Sequence, residues 1–307
     1  MNRGAASGEI QEMPDAAAID ALLPQEMARR AEQVGVKKAQ ADWATTFVLA
    51  VLAGAFIALG AVFATTALTG AADLPYGVAR LLAGLTFSLG LILVIVAGAE
   101  LFTGNNLIVM AWAGRRVSGA QLLRNWAIVY AGNFVGAVAT AALVYVGRQY
   151  EFDQGGVGTT ALTIAAGKTN LGFTQAIALG ALCNALVCLA VWLCYSARTT
   201  TDKILAIVPP IAAFVAAGFE HSVANMYFIS YGLFVKGDAA FVHSTPGVPN
   251  LGHLTWTGFL WHNLVPVTIG NILGGGLMVG AIYWFVYLRP GQAEPQDAPA
   301  SSRAVTE

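Results

Sequence analysis

The sequence predicts an all-α membrane protein. It predicts six transmembrane helices in two inverted three-helix repeats, with one broken helix in each. Three observations carry this. The 307 residues are 57% hydrophobic and only 11% charged, whereas a soluble domain carries about 25% charged residues. Two apolar runs, Leu81–Ala113 and Ile204–Val235, contain 33 and 32 residues. As straight helices they would span roughly 50 Å, yet a bilayer core is about 30 Å thick. A pattern also recurs: Asn125, Gly132-Asn133 and Gly136 return 138 residues later as Asn263, Gly270-Asn271 and Gly274.

Residues 1–43 read as a cytoplasmic segment. Met1–Asp15 reads as disordered, and Ala16–Asp42 as helical with an interruption at Pro24. Met27, Ala31 and Val34 share one face of that helix and charged residues cover the rest. Such a helix suits a membrane interface or a cap; a docking surface for a cytoplasmic enzyme is the sharper alternative. The membrane domain is expected over 44–289, with repeats at about 44–147 and 174–289. Its apolar blocks are Ala44–Leu68, Leu81–Ala113, Leu122–Gly147, Thr174–Tyr195, Ile204–Val235 and Thr257–Leu288. Residues 290–307 form a Pro/Ala/Ser-rich tail of disordered composition.

Placing both termini in the cytoplasm puts 12 Lys and Arg residues inside and 4 outside: Arg80, Arg148, Lys168 and Lys236. That is the bias of an inner-membrane protein with an even number of spans. Three crossings per repeat make the second copy enter from the opposite face. A net charge of −1 offers no basis for nucleic-acid binding. Cys183, Cys188 and Cys194 fall within one predicted span and read as small apolar fillers. No cofactor fingerprint, zinc pattern or nucleophile motif occurs in a plausible context, so an enzyme is disfavoured and no cofactor is expected. His243, His253 and His262 receive no role.

The breaks hold the chemistry. Glu220-His221-Ser222 interrupts one long run and Glu100 through Asn106 the other. Irregular backbone at such depth must be buried in protein or line a wet cavity, and ionisable residues there are functional candidates. His221 is either a buried structural residue or a proton donor. Thr103 offers a hydroxyl to an anion or caps a half-helix. Glu100 and Glu220 are expected to accept local hydrogen bonds. A slip of one residue aligns Glu100 and Asn106 with Glu220 and Asn225. Asn184 makes an interhelical bond or a tie to the breaks. Lys168 is a solvated loop cation or one that concentrates anions.

Four ordered stretches resemble the formate/nitrite transporter family. They are Ala99-Glu100-Leu101-Phe102-Thr103-Gly104-Asn105, Cys183 through Trp192, Gly218 through Met226, and Asn263 through Asn271. Pro24 through Ala28, with Gly35-Val36, resembles the family's N-terminal segment. The resemblance implies an aquaporin-like fold and a homopentamer with one pore per protomer, carrying formate, nitrite or hydrosulfide. It implies a central pair, His221 and Thr103, a hydrogen-bonding Asn184 and a vestibule Lys168. It assigns the dry constrictions to Phe87, Leu91, Leu101, Phe102, Val187 and Phe214. The wording Phe-Glu-His-Ser and Leu-Phe-Thr is most similar to formate-type members, whereas Gly104-Asn105 departs from their usual pattern. The mechanism implied is either anion conduction or proton transfer from His221 with passage as the neutral acid. Nitrite or hydrosulfide transport is the alternative within the family. A neutral-solute aquaporin-type channel is the alternative outside it, disfavoured because neither break carries Asn-Pro-Ala.

Overall fold

The computed structural model describes residues 21–289, and among these every regular element is a helix. The sequence expectations for 1–20 and for the 290–307 tail lie outside the described residues. Helix α1 (Pro24–Gln40) begins at Pro24, which stands in the first turn where its missing N–H costs nothing. Five long helices follow: α2 (Trp43–Leu68), α3 (Tyr76–Ala97), α5 (Gly119–Val146), α7 (Phe173–Ser196) and α11 (Gly258–Tyr287). Each is long and apolar enough to cross a membrane. Helix α11 is wound in wide π turns over Gly258–Leu264 and Leu273–Ala281.

The shorter helices surround the two breaks. After α3, Gly98 adopts φ 80° and ends the helix. Irregular chain runs to Thr103, then a tight turn (Gly104–Ile108) leads into α4 (Val109–Ala113). Helix α6 (Gly156–Thr169) lies between the third and fourth long segments and carries Lys168 in its last turn. The sequence expectation placed Lys168 in an outside loop just before the fourth span; the structure makes this region a helix. Helices α8 (Thr200–Ala216) and α9 (Ser222–Gly237) form the second broken segment, followed by α10 (Ala239–Ser244). At 17 and 16 residues, α8 and α9 each span about 25 Å, short of a bilayer core. Gly218 has φ 76° at the break.

Glycine sets two close crossings. A β-carbon on Gly136 of α5 would collide with the Val51 carbonyl of α2, and one on Gly274 of α11 with the Ala181 carbonyl of α7. These residues occupy matching places in the 138-residue pattern. Helix α1 does not lie free. It buries Met27, Ala28, Ala31, Gly35 and Ala39 against the bundle, so the face expected at a membrane interface is occupied by protein.

Candidate functional site

The two breaks come together in the interior. Thr103 Oγ1 stands 3.0 Å from His221 Nε2, and both residues are buried. His221 caps α9, and its Nδ1 accepts the Ala224 amide at 3.0 Å. An N–H aimed at Nδ1 requires that nitrogen to be unprotonated. The ring proton therefore sits on Nε2 and is donated to Thr103 Oγ1, which frees the Thr103 O–H to donate elsewhere.

Asparagines hold both loops in place. Asn133 Oδ1 accepts from Phe102 N at 2.9 Å, while its Nδ2 donates to Ala50 O and Glu100 O at 2.7 and 2.9 Å. Asn271 Oδ1 accepts from Ser222 N at 2.9 Å, while its Nδ2 donates to Gly180 O and Glu220 O at 2.9 and 3.0 Å. The same work is done by the same residue type 138 positions apart. Asn184 Nδ2 contacts Thr103 O, Asn106 Oδ1 and Asn271 O at 3.2, 3.2 and 2.7 Å, tying the first loop and α11 to α7. Cys188 Sγ also donates to Thr103 O at 3.3 Å, so this cysteine does more than fill space.

Each carboxylate has a lysine. Lys168 Nζ is 2.8 Å from Glu220 Oε1, and Glu220 also accepts from Asn225 and Asn263. Lys38 Nζ is 3.0 Å from Glu100, and Glu100 accepts from Asn105, which in turn donates to Asn125. The partner of Asn225 is thus Asn105, not Asn106: both asparagines follow their glutamates by five residues, without a slip. Asn106 instead bonds Phe102 O and Asn184. Lys38 had no role in the sequence expectation. The signal that finds it is the matching bond of Asn125 to Lys38 O and Asn263 to Lys168 O, each at about 3 Å.

Two cavities lie by the breaks, one lined by His221 and the other by Leu101 and Asn105. On the Lys168 side a cavity of about 370 Å³ is lined by Arg80, Phe87, Lys168, Phe214, Glu220 and His221. On the α1 side a cavity of about 40 Å³ is lined by Lys38, Leu91, Val94, Leu101, Asn105 and Tyr195. Phe214 stacks on His221 with ring centroids 5.9 Å apart and meets Phe87 edge-on at 5.7 Å. Leu91 and Leu101 line the cavity on the α1 side. Phe102 packs against Trp126 and Tyr130 and Val187 lies in the main core; neither lines these two cavities.

A family model for formate/nitrite transporters matches residues 25–285. The chain belongs to this family. Among formate/nitrite transporters it is 47% identical to the formate channel FocA of Escherichia coli (strain K12), over 88% of this chain and 96% of that protein. It is 42% identical to the formate channel FocA of Haemophilus influenzae, over 85% and 93%. A solved structure described as a pentameric formate channel with formate bound has a TM-score of 0.75 and 44% identity, covering 82% of this chain and 99% of that one.

Proposed function

We propose that this chain is a formate transporter of the inner membrane, working as a homopentamer with one pore in each protomer. The observation that carries it is the buried Thr103–His221 pair, with Phe87, Phe214 and His221 lining one cavity and Leu91 and Leu101 lining another. The proposal includes six crossing segments, four continuous and two broken (α3 with α4, and α8 with α9), in an aquaporin-like inverted repeat. It also places α1 and both termini in the cytoplasm, as the Lys and Arg distribution favours. The exposed polar face of α1 is then the surface open to a cytoplasmic enzyme.

A bare anion pays heavily to leave water, and the constrictions give it no partners. The free Thr103 O–H and the half-helix amides around the break supply donors where it is driest. Protonating His221 at Nδ1 would forfeit the Ala224 bond that caps α9. The geometry therefore favours a ring that stays neutral and orients Thr103, with any co-transported proton arriving from bulk, over a histidine relay.

Two measurements test this. Proteoliposome uptake of formate, nitrite, hydrosulfide and glycerol should rank formate first; a preference for nitrite or hydrosulfide moves the substrate, and glycerol uptake abolishes the anion reading. His221→Asn keeps an acceptor for the cap. Current and internal pH recorded together should show an unchanged proton-to-formate ratio in this variant. Electrogenic formate flux without proton uptake would restore the relay.

A further inference from the structure

Arg80, early in α3, reaches across to the end of α8. Its Nη2 donates to Val215 O at 2.5 Å and its Nε to Ala216 O at 3.4 Å. Those are among the last carbonyls of a helix, where a cation is favoured, and Val215 O also accepts from Gly218 N at 3.1 Å. The guanidinium stands directly over the second break: its Nη2 would be 3.7 Å from a β-carbon on Gly218. A guanidinium has five N–H donors, and these two bonds leave three. The side chain is half-buried and lines the 370 Å³ cavity that leads to His221.

The charges in that cavity do not contribute equally. Its lining carries two cations, Arg80 and Lys168, and one carboxylate, Glu220. Lys168 is paired with Glu220 at 2.8 Å, so those two charges largely cancel at a distance. Arg80 bonds neutral carbonyls and, among the described residues, has no carboxylate partner. The positive charge of the cavity therefore rests on Arg80. We infer that Arg80 is the residue that gathers the anion in this vestibule, offering free guanidinium donors to a small carboxylate or oxyanion ahead of Thr103 and His221. Planar paired N–H groups suit such a ligand better than an ammonium does. This deepens the anion-transport reading above and rests on it. It also revises the sequence expectation, which gave that task to Lys168.

The test is formate uptake at low and high ionic strength, with oligomer integrity checked on the solubilised protein. Arg80→Gln keeps donors for the helix end and removes the charge. It should raise the half-saturating formate concentration about threefold at low salt, with the difference fading at high salt. Arg80→Lys keeps the charge but loses the planar fork, so its half-saturating concentration should fall between those of Arg80→Gln and wild type. A lower maximal rate with unchanged half-saturation and salt dependence would make Arg80 a helix clamp only and overturn the inference. A second measurement needs no variant. Saturating formate should slow labelling of Arg80 by an arginine-selective dicarbonyl, read by peptide mass, while exposed Arg148 labels at the same rate. Equal labelling of Arg80 with and without formate also overturns it. If wild-type protein carries no formate, the functional reading fails instead, and protection of Arg80 by nitrite would still support an anion site there.

Discussion

At the first break Lys38 of α1 neutralises Glu100, and at the second Lys168 of α6 neutralises Glu220. The supporting asparagines match as well, yet the two surroundings differ. The Lys38 and Glu100 side chains are 28% and 15% exposed, against 16% and 6% for Lys168 and Glu220. Helix α1 lays Ala31, Val34 and Gly35 over its cavity and reduces it to about 40 Å³, while α6 stands at the rim of one of about 370 Å³. One polar core is thus presented through two different covers. Matching asparagines hold the two loops alike, and the helix that brings each lysine differs in how far it covers its cavity.

The strongest challenge to this equivalence is removal of the loop-holding asparagines. Asn133→Ala and Asn271→Ala each strand one buried amide and one buried loop carbonyl (Phe102 N and Glu100 O, or Ser222 N and Glu220 O), while the helical Ala50 O and Gly180 O keep their ladder bonds. At about 1–3 kcal/mol per unpaired group, each should lose several kcal/mol and melt far below wild type as a solubilised assembly. A large loss in one variant alone would break the correspondence. Thr103→Val comes next. It removes the donor at the driest point, and a hydrogen bond to a charged group contributes about 1.5–3 kcal/mol. Formate flux should fall roughly 10- to 100-fold, with Thr103→Ser restoring most of it. Equal flux in Thr103→Val would remove the hydroxyl from the proposed pathway. The lysines give the smallest and most discriminating effect. Lys168→Ala leaves a more enclosed carboxylate than Lys38→Ala does, so its stability loss, about 1–3 kcal/mol, should be the greater. Matching melting temperatures would show that the difference in burial has no energetic weight.

The sequence revealed the breaks because a charge inside a long apolar run, together with helix length, leaves few alternatives. It revealed Asn133 and Asn271 because their neighbourhood repeats at a constant offset. It hid the rest of the duplication because the offset changes along the chain. Lys38 and Lys168 are separated by 130 residues, Glu100 and Glu220 by 120, and Asn125 and Asn263 by 138. Loop lengths between the helices differ, so no single shift aligns both halves. Helix α1 was therefore set apart from a repeat in which its lysine takes part. The side-chain directions of Phe102 and Val187 were not legible either: both are apolar and near the break, and only packing decides which apolar residues face a passage. Arg80 read as a boundary charge because its partners, two backbone carbonyls of α8, leave no signature in the sequence.

The asparagine bonds also impose an order on synthesis. The first loop is secured by Asn133, on the next long helix to emerge. The second must wait for Asn271, on the last. Until α11 has left the ribosome and docked, the Ser222 amide and the Glu220 carbonyl lack the partner they have in the finished protein. A nascent chain stopped before that helix would carry an incomplete second half in the bilayer. Such a product would leave the Ser222 amide and the Glu220 carbonyl of the second break without their Asn271 partner, even though most of its length has already been made.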